Sequence, residues 1–148
     1  MNQRFPMDFC GKLWYNKVFS NLMQNDERMR IMLFIEYPKC TTCQKAKNWL
    51  DDRSISYEDR HIKEDNSTYE ELLQWYRESG LLLKRFFNTS GLLYKSLQLK
   101  DKLPTMSEEE QLRLLATDGM LVKRPLLITD RGILVGFREA EWAALLQK

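Results

Sequence analysis

The sequence predicts an α/β domain in which a single sheet carries helices and is interrupted by a helical insertion. Three observations lead to this prediction. From residue 31 to residue 80, apolar runs alternate with helical stripes in the order β-α-β-α. The section from 81 to 119 contains only short helical patterns, and two further apolar runs followed by a helical stripe close the chain. A βαβ start and a ββα end on either side of a helical insertion describe a thioredoxin-like fold.

The first strand and the first helix are the most clearly marked elements. The run "IMLFIEY" at 31–37 is apolar enough for a strand buried on both faces, and Pro38 ends it. The helix that follows places Ala46, Trp49 and Leu50 on one stripe. The loosely alternating run "ISYEDRHI" at 55–62 then predicts a second strand, which completes a parallel βαβ unit.

The later elements are predicted mainly by the residues at their ends. Two pairs have the spacing of capping boxes that begin helices, namely Ser67 with Glu70 and Ser107 with Glu110. Gly80 and Gly119 are expected to end these two helices. The turn "TDRG" at 129–132 predicts a hairpin between the last two strands, and "EAEWAALLQK" predicts a final helix.

Length, composition and charge narrow the class of protein. With 148 residues, 43% of them hydrophobic and 30% charged, the chain fits one globular domain. A net charge of +2 gives no indication of direct nucleic acid binding or of attraction to a membrane surface. No apolar run reaches the roughly 18 residues that cross a bilayer, and Asp8 interrupts the stretch where a secretory signal needs an apolar core. We therefore expect a cytoplasmic monomer.

Residues 1–30 show neither helical nor strand periodicity, and we interpret them as an N-terminal extension ahead of a domain at 31–148. Whether they form a docked helical arm or a frayed segment stays open. Met29 and Met32 are both candidate starts of translation. Cys10 is interpreted as an incidental thiol, because nothing around it resembles an activating site.

Cys40 and Cys43 form a C-x-x-C pair at the predicted strand-to-helix junction. Cys40 is expected at the start of the helix, where unpaired backbone N–H groups and the helix dipole stabilise a thiolate. Cys43 follows nearly one turn later on the same face and is expected to be more buried, within reach of a disulfide. This predicts that Cys40 attacks and that Cys43 resolves the resulting adduct.

Two other interpretations of the pair stay open. A metal site needs two more ligands, and only His61 and Cys10 are available, neither with the paired spacing of a zinc site. A purely structural role is also open, because buried cysteines are common in protein cores. His61 would suit a general base by its ordinary pKa, although its charged surroundings favour a surface position. No metal or organic cofactor is predicted.

Three motifs, "YPKCTTCQKAKNWL", "KRPLLIT" and "VGFREAEW", together resemble the ArsC/Spx family of thioredoxin-fold proteins, which contains arsenate reductases and Spx-type transcriptional regulators. The resemblance runs from about Ile31 to Leu146. It implies that Cys40 is the nucleophile and that Arg124 faces its thiolate. It also implies that Pro125 is the cis-proline of the fold and that Arg138 is a further arginine around a bound oxyanion.

The chain departs from the arsenate reductases of that family in two places. Those enzymes carry another arginine near the position of "FFNTSG", where this chain has Asn88, Thr89 and Ser90, with Lys84 and Arg85 a turn earlier. One oxyanion-binding arginine is therefore missing. In addition, a second cysteine at the position of Cys43 is a feature of Spx-type proteins rather than of the reductases that rely on glutathione.

The sequence therefore supports two main functions. One is a thiol–disulfide redox enzyme whose Cys40–Cys43 disulfide is reduced after each cycle by thioredoxin, glutaredoxin or glutathione. The other is an Spx-type regulator that docks on the RNA polymerase α subunit and uses the cysteine pair as a switch. A family member with vestigial redox chemistry is a third, lesser alternative.

Overall fold

A computed structural model of the chain describes residues 32–147. The statements below concern these residues alone. The predicted N-terminal extension at 1–30, including Cys10, lies outside them. Among the helices between residues 32 and 147, none combines the length and the apolar character needed to cross a membrane.

One four-stranded sheet forms the centre of the domain. Its strands are β1 (Met32–Glu36), β2 (Tyr57–His61), β3 (Leu126–Thr129) and β4 (Gly132–Val135). Their order across the sheet is β2-β1-β3-β4. The β1 and β2 strands are parallel, whereas β3 is antiparallel to both β1 and β4. The predicted thioredoxin-like α/β arrangement is confirmed, including the hairpin between the last two strands.

Within residues 32–147, six α-helices accompany the sheet. They are α1 (Thr41–Asp52), α2 (Tyr69–Ser79), α3 (Leu92–Ser96), α4 (Leu99–Lys102), α5 (Glu108–Thr117) and α6 (Glu139–Leu146). Three short 3₁₀ turns complete the insertion between α2 and β3, at Leu83–Phe86, Leu103–Thr105 and Gly119–Leu121. The insertion therefore consists of short helices and 3₁₀ turns joined by turns such as the one at 88–91, and the short helices agree with the apolar patterns of the sequence.

The sheet is the middle of three layers, because its side chains alternate between two hydrophobic cores. On β1, Phe34 belongs to the core that includes side chains of α1 and α6, whereas Ile35 belongs to the core under α2 and the insertion. Leu127 and Leu126 divide in the same way on β3. All four side chains are fully buried. The arrangement places the start of α1 above the end of β1.

The capping box predicted at Ser67 and Glu70 is wrong by one residue. Thr68 is the N-cap of α2, and it exchanges hydrogen bonds with Glu71 at 3.0 and 3.1 Å. Glu71 also binds Arg60 of β2, with Arg60 Nη2 3.0 Å from Glu71 Oε2. Ser67 and Thr68 each have a glutamate three residues later, so the sequence allows either capping box. The ion pair between Glu71 and Arg60 favours the Thr68–Glu71 box. The second box, the Ser107–Glu110 pair, and the end of α2 at Gly80 (φ 69°) are confirmed.

Gly119 does not end α5 as predicted. The helix stops at Thr117, and Asp118 begins the next 3₁₀ turn by accepting a hydrogen bond from the Met120 N–H at 2.8 Å. A Cβ atom on residue 119 would lie 1.9 Å from the carbonyl oxygen of Ile62. Glycine is required here because the backbone after β2 passes directly against it.

We expect Gly119→Ala to lower the free energy of unfolding by about 3 kcal/mol, because a backbone must shift to admit the methyl group. Gly80→Ala is the matched control. It introduces the same methyl group where no atom lies within 4 Å, and its cost is the left-handed backbone alone, about 1 kcal/mol. Urea unfolding curves of both variants measure the difference. Equal losses would contradict the assigned role of Gly119.

Candidate functional site

The loop between β1 and α1 holds Cys40 in place through its backbone. Cys40 is the N-cap residue of α1, with φ −89° and ψ 122°. Its N–H donates to the carbonyl of Tyr37 at 2.9 Å, and its carbonyl accepts from the N–H of Gln44 at 3.0 Å. The Gln44 side chain in turn donates to the carbonyl of Pro38 at 2.9 Å. These bonds fix the Cys40 backbone at the start of α1, and its side chain is partly exposed.

The Cys40 sulfur lies among hydrogen-bond donors at the start of α1. Its partial burial by itself would raise the pKa of this thiol. The backbone N–H groups of Cys43 and Thr42, the Cys43 thiol and the Arg124 guanidinium outweigh that effect, and the pKa of Cys40 is lowered. Each of these groups stabilises a negative sulfur more than a protonated one. Ionisation of the Cys40 thiol is therefore favoured relative to that of an ordinary cysteine.

Cys43 has the opposite character. Its side chain is fully buried, with an exposure of 0%, and burial is the largest of the effects that raise its pKa to about 12. The nearby Cys40 sulfur and the charge of Glu36 raise it further, against a hydrogen bond from the Tyr37 backbone. Both cysteines are free thiols in this structure. The pair therefore consists of one accessible, acidic thiol and one sheltered, weakly acidic thiol.

Arg124 reaches the pair from the segment that leads into β3. Its guanidinium donates to the Cys40 sulfur, and its Cζ lies 5.2 Å from the centre of the Tyr37 ring. Its Nε and Nη1 atoms are buried with no hydrogen-bond partner among the described residues. The peptide bond between Arg124 and Pro125 is cis, the conformation that the resemblance implied. The guanidinium thus places a positive charge beside the Cys40 sulfur.

Arg138 is not brought to the sulfur in the same way. It precedes α6, its side chain is 70% exposed, and its Nη1 lies 3.7 Å from Glu141 Oε1. The side chain lies at the rim of a cavity beside Thr42. The structure therefore groups Cys40, Cys43 and Arg124 closely, whereas a role for Arg138 around an oxyanion stays a prediction.

The cavity has a volume of about 340 Å³, within the size range of small-molecule sites. Its cationic lining residues are Lys84, Arg85, Lys123 and Arg138, and its apolar lining residues are Leu82, Phe87, Val135 and Phe137. No carboxylate lines it among the described residues. Such a lining favours an anionic ligand with some apolar surface. The sequence indicated this cavity weakly, through "LKR" and "VKRP", because its walls come from four separate segments, at 42, 82–89, 123 and 135–138.

Asn88 belongs to "FFNTSG", near which the resemblance places an arginine of arsenate reductases, and its hydrogen bonds stabilise the local backbone. It is 8% exposed. Its N–H donates to the carbonyl of Leu121 at 2.8 Å, its carbonyl accepts from the N–H of Gly91 at 3.0 Å, and its Oδ1 accepts from Ser90 Oγ at 3.4 Å. Asn88 therefore stabilises the "NTSG" turn and supplies no positive charge to the site.

The His61 side chain, at the end of β2, accepts hydrogen bonds from the backbone that follows it. Its Nδ1 accepts hydrogen bonds from the backbone N–H groups of Lys63 and Glu64 at 3.2 and 3.1 Å, and its ring meets the Tyr37 ring edge-on. The part of the chain that the structure describes contains no group of three His, Cys, Asp or Glu side chains that could hold a metal ion. His61 acts as a turn-stabilising acceptor here.

Sequence reasoning missed one buried charged group close to the pair. Glu36, the last residue of β1, is 4% exposed. Lys47 of α1 lies between this carboxylate and Asp59 of β2, with its Nζ 3.8 Å from Glu36 Oε1 and 2.6 Å from Asp59 Oδ2. In the sequence, Glu36 gives no signal, because it appears as the polar end of an apolar strand.

Comparison with known proteins places these features in a family. A sequence model of the ArsC family matches residues 35–145. A solved structure from Bacteroides fragilis, described as related to the ArsC family, is 59% identical, covers 77% of this chain and 96% of that chain, and gives a TM-score of 0.75. A possible arsenate reductase from Streptococcus mutans UA159 is 47% identical, covers 74% of this chain and 92% of that chain, and gives a TM-score of 0.69.

A curated relative has a different role. The global transcriptional regulator Spx from Streptococcus agalactiae is 31% identical over 121 residues, which is 80% of this chain and 84% of that protein. Similarity thus extends both to a protein described as a possible arsenate reductase and to a protein described as a transcriptional regulator. These two descriptions correspond to different functions, and sequence similarity alone does not distinguish them.

Proposed function

This chain belongs to the ArsC family, and from that premise we propose that it is a thiol-dependent oxidoreductase in which Cys40 attacks and Cys43 resolves. One observation carries the proposal. The Cys40 sulfur receives hydrogen bonds from two backbone N–H groups, from Arg124 and from Cys43, which lower its pKa. A cysteine with only a structural role has no need of this arrangement. The similarity to a possible arsenate reductase also supports the proposal.

The proposed cycle begins with attack of the Cys40 thiolate on one sulfur of a substrate disulfide. A bond forms between Cys40 and that sulfur, and the other half of the substrate leaves as a thiolate. Cys43 then attacks the Cys40 sulfur, which releases the second half of the substrate and leaves a Cys40–Cys43 disulfide. The two cysteines lose two electrons and the substrate gains two. An external reductant, either thioredoxin, glutaredoxin or glutathione, restores both thiols.

We favour a disulfide with anionic groups over arsenate as the substrate, because a cationic cavity lies beside Thr42, two residues after Cys40. The Arg124 guanidinium supplies one positive charge beside the Cys40 sulfur. Asn88 provides no second positive charge close to it, whereas the cationic residues surround a wider cavity. A tetrahedral oxyanion would therefore have fewer close partners than an elongated ligand with separated charges. A reducing compartment such as the cytoplasm fits this chemistry.

Steady-state turnover tests the proposal. The purified protein, carrying Cys10→Ser, is given either a small anionic disulfide or arsenate, with NADPH consumption coupled through the thioredoxin system or through glutathione and glutaredoxin. We expect turnover of the disulfide with at least one reductant, and a Cys40–Cys43 disulfide in the protein recovered before reduction. Absence of turnover with both substrates and both reductants would overturn the enzymatic function.

Similarity to Spx favours one second candidate, a redox-sensing regulator that binds the RNA polymerase α subunit. In that case oxidation of the pair would alter the start of α1 and bias a docking surface. A binding assay with purified α subunit distinguishes the candidates. Stoichiometric binding that changes between the reduced and the oxidised protein supports the regulator, and equal lack of binding by both forms excludes it.

A further inference from the structure

The cationic cavity begins at a residue that touches the reactive sulfur. The backbone N–H of Thr42 is one of the donors to the Cys40 sulfur, and Thr42 is also part of the cavity wall. A second wall residue, Lys123, directly precedes Arg124, whose guanidinium donates to the same sulfur. The cavity therefore lies where the non-reacting part of a substrate can extend from Cys40.

The position of Lys123 is restricted by its surroundings. Its backbone N–H donates to the carbonyl of Phe86 at 2.7 Å, which ties the segment before β3 to the insertion. Its side chain passes over Gly136, where a Cβ atom would lie 3.3 Å from Lys123 Cε. Gly136 has φ +78°, a conformation that favours glycine, and it also belongs to the cavity wall. The aliphatic part of Lys123 thus lies along this wall.

The cavity carries more positive charge than a single carboxylate can balance. Within residues 32–147, four cationic side chains line it and no carboxylate does. Arg138 has a partner outside the lining, since Glu141 Oε1 lies 3.7 Å from its Nη1. The other three, Lys84, Arg85 and Lys123, form no ion pair with a described residue. Phosphate groups, which carry several negative charges and accept several hydrogen bonds, would balance them.

The same lining disfavours a disulfide of an amino-acid thiol. Glutathione and cystine carry an ammonium group besides their carboxylates. Inside the cavity that group would face the cationic side chains, with no carboxylate among the described lining residues to accept its hydrogen bonds. A phosphorylated thiol without an ammonium group avoids this repulsion.

The apolar part of the lining indicates a ligand that is more than phosphate alone. Leu82 is 77% exposed, a large value for a leucine, and it lies on the cavity wall together with Phe137. An alkyl chain or an aromatic base between the reacting sulfur and the phosphates, or beyond them, would cover these side chains and remove apolar surface from water.

We propose that the cavity binds the phosphorylated part of a low-molecular-weight thiol, and that the substrate is the disulfide of this thiol. The inference rests on the proposed function. Cys40 forms a bond to one sulfur of the disulfide, and the first thiol leaves with the electron pair of the broken bond. Cys43 then bonds to Cys40 and releases the second thiol. The protein loses two electrons, and one disulfide becomes two phosphorylated thiols.

Three disulfides test the substrate class. Coenzyme A disulfide and pantethine have the same reacting arm, but only the first carries phosphates, and glutathione disulfide carries an ammonium group on each half. The reduced Cys10→Ser protein is mixed with an excess of each, quenched with an alkylating reagent and analysed by mass spectrometry for the Cys40–Cys43 disulfide. At low concentration we expect coenzyme A disulfide to react at least about 100-fold faster than pantethine, and about tenfold faster than glutathione disulfide, because several charged contacts each contribute about tenfold.

Lys84→Gln and Lys123→Gln test the cavity itself. Each should raise the half-saturating concentration of coenzyme A disulfide about tenfold and leave its maximal rate unchanged, because the contact is made before and during the reaction alike. Reaction with pantethine should be unaffected, which also shows that each variant is folded. Lys95→Gln is the matched control, since Lys95 is exposed on the insertion and does not line the cavity. If Lys123→Gln does not fold, the exposed Lys84 decides.

The outcomes separate this inference from the proposed function. Failure of all three disulfides to oxidise the pair would remove the proposed function, and the inference with it. Oxidation by pantethine or glutathione disulfide as fast as by coenzyme A disulfide would overturn the phosphorylated substrate alone. Half-saturating concentrations in the Lys84 and Lys123 variants that match Lys95→Gln would overturn it as well.

Discussion

The Cys40→Ser variant is expected to lose disulfide turnover by at least about three orders of magnitude. A serine hydroxyl does not ionise near neutral pH, even beside Arg124 and the first N–H groups of α1, so the step that forms the covalent adduct has no nucleophile. The coupled NADPH assay measures this loss. Because Cys40 is only partly buried and serine is close to cysteine in size, the thermal unfolding midpoint should change little.

Cys43→Ser is the informative partner of this variant. It retains the attacking thiolate and loses the resolving one, so a single equivalent of thiolate should be released and the substrate half should remain on Cys40. Intact-protein mass spectrometry detects that adduct. Full turnover by Cys40→Ser, or a freely released product from Cys43→Ser at the parent rate, would contradict the assigned order of the two sulfurs.

Replacement of Arg124 by methionine should make Cys40 less reactive at neutral pH. The guanidinium donates to the Cys40 sulfur, and a charge-assisted hydrogen bond of this kind contributes about 1.5 kcal/mol or more. Its loss moves the pKa of Cys40 upwards, so the thiolate fraction near pH 7 falls and alkylation by iodoacetamide slows about tenfold. Well above the pKa, where both proteins are fully ionised, the rates should converge.

Arg138→Met provides the control for this measurement, since it removes an equal charge from an exposed position paired with Glu141. Both arginine variants are compared in a background that lacks Cys10 and Cys43, so that only Cys40 reacts. An alkylation profile of Arg124→Met that coincides with that of Arg138→Met would show that the guanidinium has no influence on the sulfur.

Local signals predicted the fold well where the deciding atoms are near in sequence. Examples are the apolar run before Pro38 and the apolar stripe of α1. In both, the spacing of apolar side chains over a few consecutive residues indicates which face is buried. The start of α2 is a counterexample. Ser67 and Thr68 each have a glutamate three residues later, and the choice depends on Arg60 of β2, which binds Glu71.

The candidate site was predictable to a similar degree. The cysteine pair and the arginine before Pro125 are visible because each belongs to one short motif. Glu36 and the cationic cavity are not visible, since their significance arises only when α1, β2 and the insertion are brought together. Gly119 illustrates the same limit, because the carbonyl that excludes its side chain belongs to Ile62, which is far away in the sequence.

The complete burial of Cys43 has a kinetic consequence for the proposed cycle. A second molecule can approach the pair only over Cys40, whether it delivers electrons or removes them. Oxidant and reductant must therefore bind one after the other at the same site beside Cys40, and a ternary complex with both cannot form. Double-reciprocal plots should consist of parallel lines, and a large excess of either partner should inhibit the half of the cycle that belongs to the other.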